Sequence, residues 1–237
     1  MGKLIINFLL LMLFSVFAIF SFRCSDRGMP TKNEDQLFST GVDSLTDIDG
    51  NIYHTVWIGS QLWMVENLRV TRYRNGDTIA NISDNKTWAT LSTGAYCTYE
   101  DEAENAEVYG LLYNWHAVND SRKITPAGWR IPSDEDWRIL IETLGGSSVA
   151  GGKIKDDKGW FDNGNGSNSS KFSALPAGVR GSNGLFSEIG YGTSFWSSSE
   201  ISTDAAWGRW VNYVSPGIGR DDANRLDGFS VRCLRGL

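Results

Sequence analysis

The chain has 237 residues, of which 41% are hydrophobic and 12% aromatic, and its formal net charge is −6 at pH 7. This length suffices for one domain with a sizeable core. The acidic balance excludes a protein that binds nucleic acid through a basic footprint.

The first 23 residues have the layout of an export signal. Lys3 supplies a positive start, and residues 4–22 are almost wholly apolar until Arg23. This layout is typical of a secretory signal, and the run is also long enough to cross a bilayer as an uncleaved anchor. Cys24 follows directly and resembles the lipidation cysteine of bacterial lipoproteins, although that pattern has a small residue where Arg23 stands. We expect a lipid anchor on Cys24 at the cell envelope, on the outer membrane or cell surface. A secreted protein and an N-terminally anchored one are the alternatives.

The remaining cysteines, Cys97 and Cys233, lie far apart in the sequence. In an oxidising compartment two such cysteines are natural disulfide partners. Closing so long a loop stabilises a protein by about 4–5 kcal/mol in the chain-entropy model. Two separate buried thiols are the alternative. Neither cysteine has a second cysteine or a histidine at metal-ligand spacing, so metal ligation is not expected.

Residues 24–43 are predicted to form a flexible tether, because residues 25–42 are polar and lack an apolar period. The folded domain is expected over residues 44–237, since all 10 tryptophans and all 8 tyrosines lie beyond the tether. Without residues 1–23 the chain has 20 basic and 28 acidic residues, a net charge of −8.

The first predicted elements are hairpins. Residues 47–51 (Asp-Ile-Asp-Gly-Asn) lie between apolar segments and predict a hairpin turn, and residues 74–77 predict a turn of the same chemistry. The first turn begins like a calcium-binding loop. Its sixth and twelfth positions are, however, Ile52 and Ile58 rather than glycine and glutamate, which favours the hairpin.

Two helices are predicted next. Apolar residues at helical spacing indicate one over residues 111–118. A clearer helix begins at Ser133, with Asp136 three residues on as a variant of the capping box. Apolar side chains then recur at positions 137, 140, 141 and 144, and the pair Gly145-Gly146 ends the helix.

Residues 145–192 are rich in Gly, Asn, Ser and Asp and are predicted to form long irregular structure, which often carries function. Period-two alternation predicts strands at residues 195–196 and 207–211, and residues 229–234 are predicted to form the terminal strand. The pattern therefore predicts an α+β domain.

Eight ordered segments carry a family resemblance. They are residues 47–53, 58–68, 73–76, 109–115, 128–137, 172–180, 195–200 and 228–233. Through them the chain from about residue 45 to residue 235 resembles the Fibrobacter succinogenes major paralogous domain, found mostly on surface proteins of Bacteroidetes and Fibrobacteres. One departure is the segment 124–126, which lacks a cysteine often seen just before its proline.

That family resembles a branch of the C-type lectin-like superfamily, and residues 128–137 and 228–233 are also similar to formylglycine-generating enzymes. The resemblance implies a C-type lectin-like fold, with two helices on a small twisted, mostly antiparallel sheet, adjacent terminal strands and long irregular loops. It implies no established chemistry. Cys97 and Cys233 do not match the copper-site motif of the formylglycine-generating enzymes, so an oxidase of that kind is not expected.

The candidate ligand-binding residues lie in the segment 145–192, where carboxylates and amides occur beside aromatic residues. Such oxygens suit calcium, and exposed aromatic faces suit sugar rings. The candidates are Trp160, Asp162, Asn163, Asn165 and Tyr191. The sugar-binding triplets of calcium-dependent lectins are absent, so we expect no metal or cofactor, with calcium as the alternative. A solvated loop without a ligand is the competing interpretation.

His54 and His116 are the only histidines, each in an apolar and aromatic context that favours a structural imidazole. No Gly-x-Ser-x-Gly elbow is present. We expect a non-enzymatic binding or adhesion module that meets a glycan or a surface protein through residues 145–192 and the hairpin around residues 216–220. It would touch the membrane only through its lipid. The alternatives are a cell-envelope enzyme acting on polysaccharide through paired carboxylates and a purely structural surface subunit.

Overall fold

The computed structural model describes residues 44–236, so the predicted signal, Cys24 and the tether lie outside the described residues. The described part is an α+β fold of mostly antiparallel sheets. Its strands are β1 Ser44–Thr46, β2 Ile52–Ile58, β3 Gln61–Met64, β4 Ala80–Asn81, β5 Ala95–Cys97, β6 Leu112–Tyr113, β7 Trp129–Arg130, β8 Ala177–Arg180, β9 Phe186–Ile189, β10 Gly192–Glu200, β11 Ala205–Asn212, β12 Gly219–Asn224 and β13 Leu234–Arg235. Its α-helices are α1 Asn85–Trp88, α2 Ala103–Tyr109, α3 Trp115–Val118, α4 Asp134–Thr143 and α5 Ser147–Ile154. Short 3-10 helices occur at Tyr99–Asp101 and Phe161–Asn163.

The first sheet has the order β1-β2-β3-β13-β7 and is antiparallel throughout. The predicted hairpin at residues 47–51 is confirmed, because β1 pairs with β2 across this turn. The carboxylate of Asp47 fixes the turn by accepting hydrogen bonds from the backbone N–H groups of Asp49 (2.9 Å) and Asn51 (3.0 Å). Strand β13 lies between β3 and β7, so the end of the chain pairs with the N-terminal hairpin, as the family resemblance implies.

The second sheet has the order β12-β11-β10-β8-β9 and is antiparallel except where β8 pairs with β10. Strands β10, β11 and β12 are its longest members, and they form a meander with Ser194 opposite Trp210 and Trp210 opposite Gly219. The predicted strands at residues 195–196 and 207–211 are therefore confirmed as parts of β10 and β11. A third, smaller sheet has the order β4-β5-β6.

The segment 228–235 touches all three sheets. Gly228 bridges to Arg180 in the second sheet, Phe229 bridges to Tyr113 in the third, and Ser230 bridges to β10. Leu234 then pairs in the first sheet. The predicted terminal strand is thus mostly a series of single bridges, and only its last two residues form a regular strand, because the chain passes from sheet to sheet.

One of the apolar cores is built around aromatic rings, as the aromatic-rich composition predicts. Trp63, Trp137, Phe172 and Phe195 are fully buried and bring together β3, α4, the loop before β8, and β10. Their ring centroids lie between 5.0 and 5.9 Å apart in the contacting pairs. Tilted and edge-on contacts of this kind add to the hydrophobic gain of burial. The loop that supplies Phe172 is therefore part of the core.

Helix α4 confirms the clearest prediction. Ser133 caps it, and the capping box is complete, because the Ser133 hydroxyl accepts from the backbone N–H of Asp136 while the Asp136 carboxylate accepts from that of Ser133. The helix buries Trp137, Leu140 and Ile141. It ends before Gly145 and Gly146, whose φ angles are positive.

Two predictions of secondary structure are wrong. Residues 111–118 form strand β6 and only one helical turn, because residues 112–113 pair with β5 and Asn114 caps a new helix after the strand. Residues 145–192 are not irregular throughout, since they contain α5, β8 and β9. The described residues therefore contain five α-helices instead of the two that were expected.

Candidate functional site

A groove of about 490 Å³ lies on one face of the second sheet and is the candidate binding site. We call it the Trp210 groove. Strands β8, β9, β10, β11 and β12 contribute its lining, together with residues near the chain's last bridges. It is lined by Val179, Arg180, Gly181, Ser187, Glu188, Thr193, Ser194, Trp210, Val211, Asn212, Asp221, Asp227 and Phe229. Its volume is in the range of ordinary small-ligand sites.

The indole of Trp210 lies against strand β12. A Cβ placed on the cross-strand partner Gly219 would be only 2.0 Å from Cε2 of the indole and 2.3 Å from Cζ2, so the ring covers the backbone of this glycine. The indole Nε1–H donates a 2.7 Å hydrogen bond to Asp221, two residues farther along β12. Trp210 nevertheless remains 36% exposed. The indole is therefore a flat aromatic surface whose orientation is fixed by its contacts with Gly219 and Asp221.

Three carboxylates line the Trp210 groove in different states. Asp221 holds the indole, and Glu188 has a left-handed backbone (φ 73°) with its carboxylate over Gly192. Asp227 accepts hydrogen bonds from the backbone N–H groups of Ser182 (2.7 Å) and Asn224 (3.0 Å). Burial raises the pKa of Asp227, although these two donors oppose the effect. The groove therefore offers hydrogen-bond acceptors beside an apolar ring.

The predicted site residues divide into buried and exposed ones. Trp160 is buried, with its indole Nε1–H donating to the Ala174 carbonyl (3.2 Å), so it cannot stack on a ligand. The Asn165 side chain is used internally, because its Oδ1 accepts from the backbone N–H of Trp160 (3.0 Å). Asn165 is nevertheless exposed, so its contact with a ligand stays a prediction. The sequence pattern could not distinguish a tryptophan that anchors a loop from one that faces solvent.

The other three predicted residues come together on the surface. Tyr191 is 43% exposed and packs on Phe161, with ring centroids 4.5 Å apart. Phe161 belongs to the 3-10 helix that contains Asp162 and Asn163, both exposed and both with positive φ. We call this set the Phe161 patch. It does not line the Trp210 groove.

The predicted disulfide is not formed. Cys97 and Cys233 are free and fully buried, and they lie in two different apolar clusters, one with Trp88 and Leu112 and the other with Met64 and Val231. Burial raises the pKa of the Cys97 thiol to about 12 and also raises that of Cys233, so both stay protonated. The alternative of two separate buried thiols is what the structure has. Sequence spacing carries no information on which cluster a cysteine enters.

The carboxylates of the first turn are occupied by the protein. Asp47 accepts from the Tyr53 hydroxyl (2.7 Å) as well as from its own turn. Asp49 accepts from the backbone N–H of Thr71 and pairs with Arg72 at 2.6 Å. These contacts support the hairpin interpretation against a calcium loop. Within residues 44–236, no group of three or more His, Cys, Asp or Glu side chains is placed to hold a metal ion.

The two histidines have different surroundings. The His54 side chain is 64% exposed, and its Nδ1 lies 2.6 Å from Oε1 of Glu66. His116 is partly buried in α3, where burial and the charge of Arg225 lower its pKa. A structural role for both imidazoles stays a prediction.

The Trp210 groove was not predicted from the sequence. Its signal was present in the alternation of residues 207–211, where Trp207 and Trp210 fall on opposite faces of one strand. A single strand pattern does not show which face is covered. The glycine opposite Trp210, which allows the indole to lie flat, becomes visible only with the strand register.

One comparison with known proteins gives a match. The family model described as Fibrobacter succinogenes major domain matches residues 56–235, which is more than half of the chain. No curated protein and no solved structure matches the chain. Among the helices of the described part, none is long and apolar enough to span a bilayer.

Proposed function

This chain belongs to the Fibrobacter succinogenes major domain family, and on that premise we propose that it is a non-enzymatic binding module that holds a glycan in the Trp210 groove. Its fold would be C-type lectin-like, and it would be presented at the cell surface by a lipid on Cys24. The observation that carries the proposal is the Trp210 indole, fixed flat over Gly219 and open to solvent.

A sugar ring fits this surface for two reasons. Its C–H face is apolar and stacks on a flat aromatic ring, and a ring that is already fixed loses little entropy on binding. Its hydroxyls then need acceptors at the edge of the platform. Asp221 and Glu188 supply such oxygens in the lining of the groove.

The state of the carboxylates favours binding over hydrolysis. A glycosidase acts through a pair of carboxylates at the scissile bond. In the Trp210 groove the two oxygens of Asp227 are occupied by backbone N–H groups. Oδ2 of Asp221 accepts from the Trp210 indole.

The test is a glycan-array screen of the purified protein in calcium and again in chelator, with three variants. We expect Trp210→Ala to weaken binding at least tenfold, about 1.4 kcal/mol, because the stacking face is removed. Asp221→Asn should weaken it less, since the ring stays and only its anchor changes. Trp57→Ala is the matched control, because Trp57 is 41% exposed but lies on β2, outside the groove.

Glycan binding that persists in chelator, is lost in Trp210→Ala and is kept in Trp57→Ala supports the proposal. Binding that requires calcium would move the site to the Phe161 patch, with Asp162 and Asn163 as the residues to mutate. No binding to any glycan by the folded protein would overturn the proposal in favour of a protein partner or a structural role.

A further inference from the structure

A second cavity, of about 420 Å³, shares no lining residue with the Trp210 groove. We call it the Asp156 cavity. Strand β2, the segment after β3, helix α2 and the loop between α5 and β8 surround it. It is lined by Ile52, His54, Val65, Glu66, Asn67, Arg69, Ala106, Glu107, Val108, Gly110, Asp156, Lys158, Ser173, Leu175 and Arg232.

Part of the lining of the Asp156 cavity is apolar and unusually exposed. Ile52 and Val108 are each 57% exposed and line the same cavity. Val65 and Leu175 are partly buried beside them. An apolar group of a ligand would remove all four side chains from water.

The same lining holds two charged groups with unused hydrogen-bonding capacity. Asp156 is buried, with 8% of its surface exposed. Its Oδ1 has no hydrogen-bond partner in the described part of the chain. Arg232 is 1% exposed, and its guanidinium donates to Asn67 Oδ1 (2.6 Å) and to the carbonyls of residues 64, 172 and 173. These bonds use four of its five N–H groups. Oδ2 of Asp156 accepts from Asn168 Nδ2 (3.4 Å), so only Oδ1 lacks a donor, and Arg232 has one N–H to spare.

Neither of these charges is neutralised by direct contact. Within residues 44–236, Arg232 makes no ion pair, and Asp156 makes none either. Burial lowers the pKa of Arg232 to about 9 despite the opposing charges of Glu66 and Asp156, so the guanidinium is still charged at neutral pH. Lys158, at the surface of the cavity, is also without an ion pair in this range. A buried charge without an opposite charge in contact is costly. A ligand that carries both a positive and a negative group would relieve this cost at Asp156 and Arg232.

We propose that the Asp156 cavity binds a free α-amino acid with an apolar side chain. The ammonium group donates to Oδ1 of Asp156, and the carboxylate faces Lys158 and the spare N–H of Arg232. The side chain packs against Ile52, Val65, Val108 and Leu175. The lining carries three carboxylates and three permanent cations, which suits a ligand of zero net charge. The terminus of a peptide would bring either an ammonium or a carboxylate, but not both.

The experiment is calorimetric titration of the full chain with L-leucine and with two analogues that each lack one charge. N-acetyl-leucine has no ammonium group, and leucinamide has no carboxylate. We expect leucine to bind and each analogue to bind at least tenfold more weakly. Asp156→Asn should lower the affinity for leucine at least tenfold and leave the affinity for N-acetyl-leucine unchanged. The contact that this variant loses is the one that N-acetyl-leucine never makes. Lys158→Gln should reduce the preference for leucine over leucinamide.

Matched controls are Asp157→Asn and Lys171→Gln, two exposed residues that do not line the cavity. Both should bind leucine like the unaltered chain. Lys158 is exposed, so its variant tests the proposal even if Asp156→Asn folds poorly. If about 10 mM leucine, far above the dissociation constant of any useful site, gives no heat of binding, the proposal is overturned. Equal affinity for leucine and N-acetyl-leucine would overturn it as well. The Trp210 groove is not touched, so glycan binding and amino-acid binding can fail separately.

Discussion

A single hydrogen atom at Gly219 decides whether the Trp210 groove has a flat aromatic floor. The indole passes so close to this backbone that any side chain would displace it. We therefore expect Gly219→Ala to abolish glycan binding as fully as Trp210→Ala does. The fold should be nearly unaffected, because the indole is partly in solvent and can move away. Glycan affinity and the melting temperature measure the two effects.

The control for Gly219→Ala is Asp222→Ala, an exposed residue of the same strand that does not line the groove. It should bind glycan like the unaltered chain. If Gly219→Ala binds normally, the orientation of the ring is irrelevant and the stacking argument is wrong.

His116 gives the protein a pH dependence with a definite sign. Burial and the charge of Arg225 lower its pKa in the folded state, whereas in the unfolded chain it titrates near about 6.5. Between these values the unfolded state binds more protons, so the free energy of unfolding decreases as the pH falls below about 6.5. We expect His116→Gln to remove this part of the decline. Urea denaturation of both proteins at about pH 7.5 and pH 5.5 measures it, and identical declines would contradict the assignment.

At the scale of elements, buried cations hold the long loops in place. Lys155 donates from Nζ to the carbonyls of Gly164 (2.7 Å), Asn212 (2.9 Å) and Ser215 (3.1 Å). Arg180 donates in the same way to the carbonyls of residues 82, 83 and 184. Backbone carbonyls in irregular segments need donors when they are buried. These side chains supply them, which explains how a Gly- and Asn-rich segment is ordered.

Helix α4 is an element whose start depends on one hydroxyl. Ser133→Ala removes the hydroxyl that accepts from the Asp136 backbone and donates to its carboxylate. We expect a loss of about 1 kcal/mol in the free energy of unfolding. Chemical denaturation measures it, with Ser148→Ala as the control, because Ser148 is an exposed residue of α5. Equal stability of the two variants would show that the capping box contributes nothing.

The elements that the sequence predicted correctly are those whose signal is local. Helix α4 has its cap, its apolar period and its terminal glycines within 14 residues, and the first hairpin has its turn chemistry in five. Strand β6 was missed because its conformation depends on partners outside its own segment, namely β5 and a bridge to Phe229. Trp160 and Trp210 have similar local surroundings but opposite exposure, since packing across strands decides which face is covered. Tyr191, Asp162 and Asn163 were correctly placed on the surface by composition, but the groove depends on register.

At the scale of the whole molecule, the last residues join parts that the chain builds early. The segment 228–235 bridges to Arg180, Tyr113 and Phe195 before it pairs with Trp63. The ring of Phe229 also lies 4.4 Å from that of Trp196. This segment therefore makes backbone contacts with all three sheets. The fold therefore closes through contacts of long sequence separation, which makes a disulfide unnecessary as the means of closure.

The state of Cys97 and Cys233 tests this account of the whole fold. Both thiols are buried in separate clusters, so we expect a reducing agent to leave the melting temperature unchanged. Alkylation of the unfolded, unreduced protein should label both cysteines, as peptide mass spectrometry would show.

Cys97→Ala and Cys233→Ala should each destabilise the fold equally with and without reductant, because only packing is lost. A disulfide closing this loop would contribute about 4–5 kcal/mol, so a marked drop in melting temperature on reduction would contradict the structure. Stability that is independent of the redox state would instead mean that aromatic packing and the segment 228–235 hold the domain together.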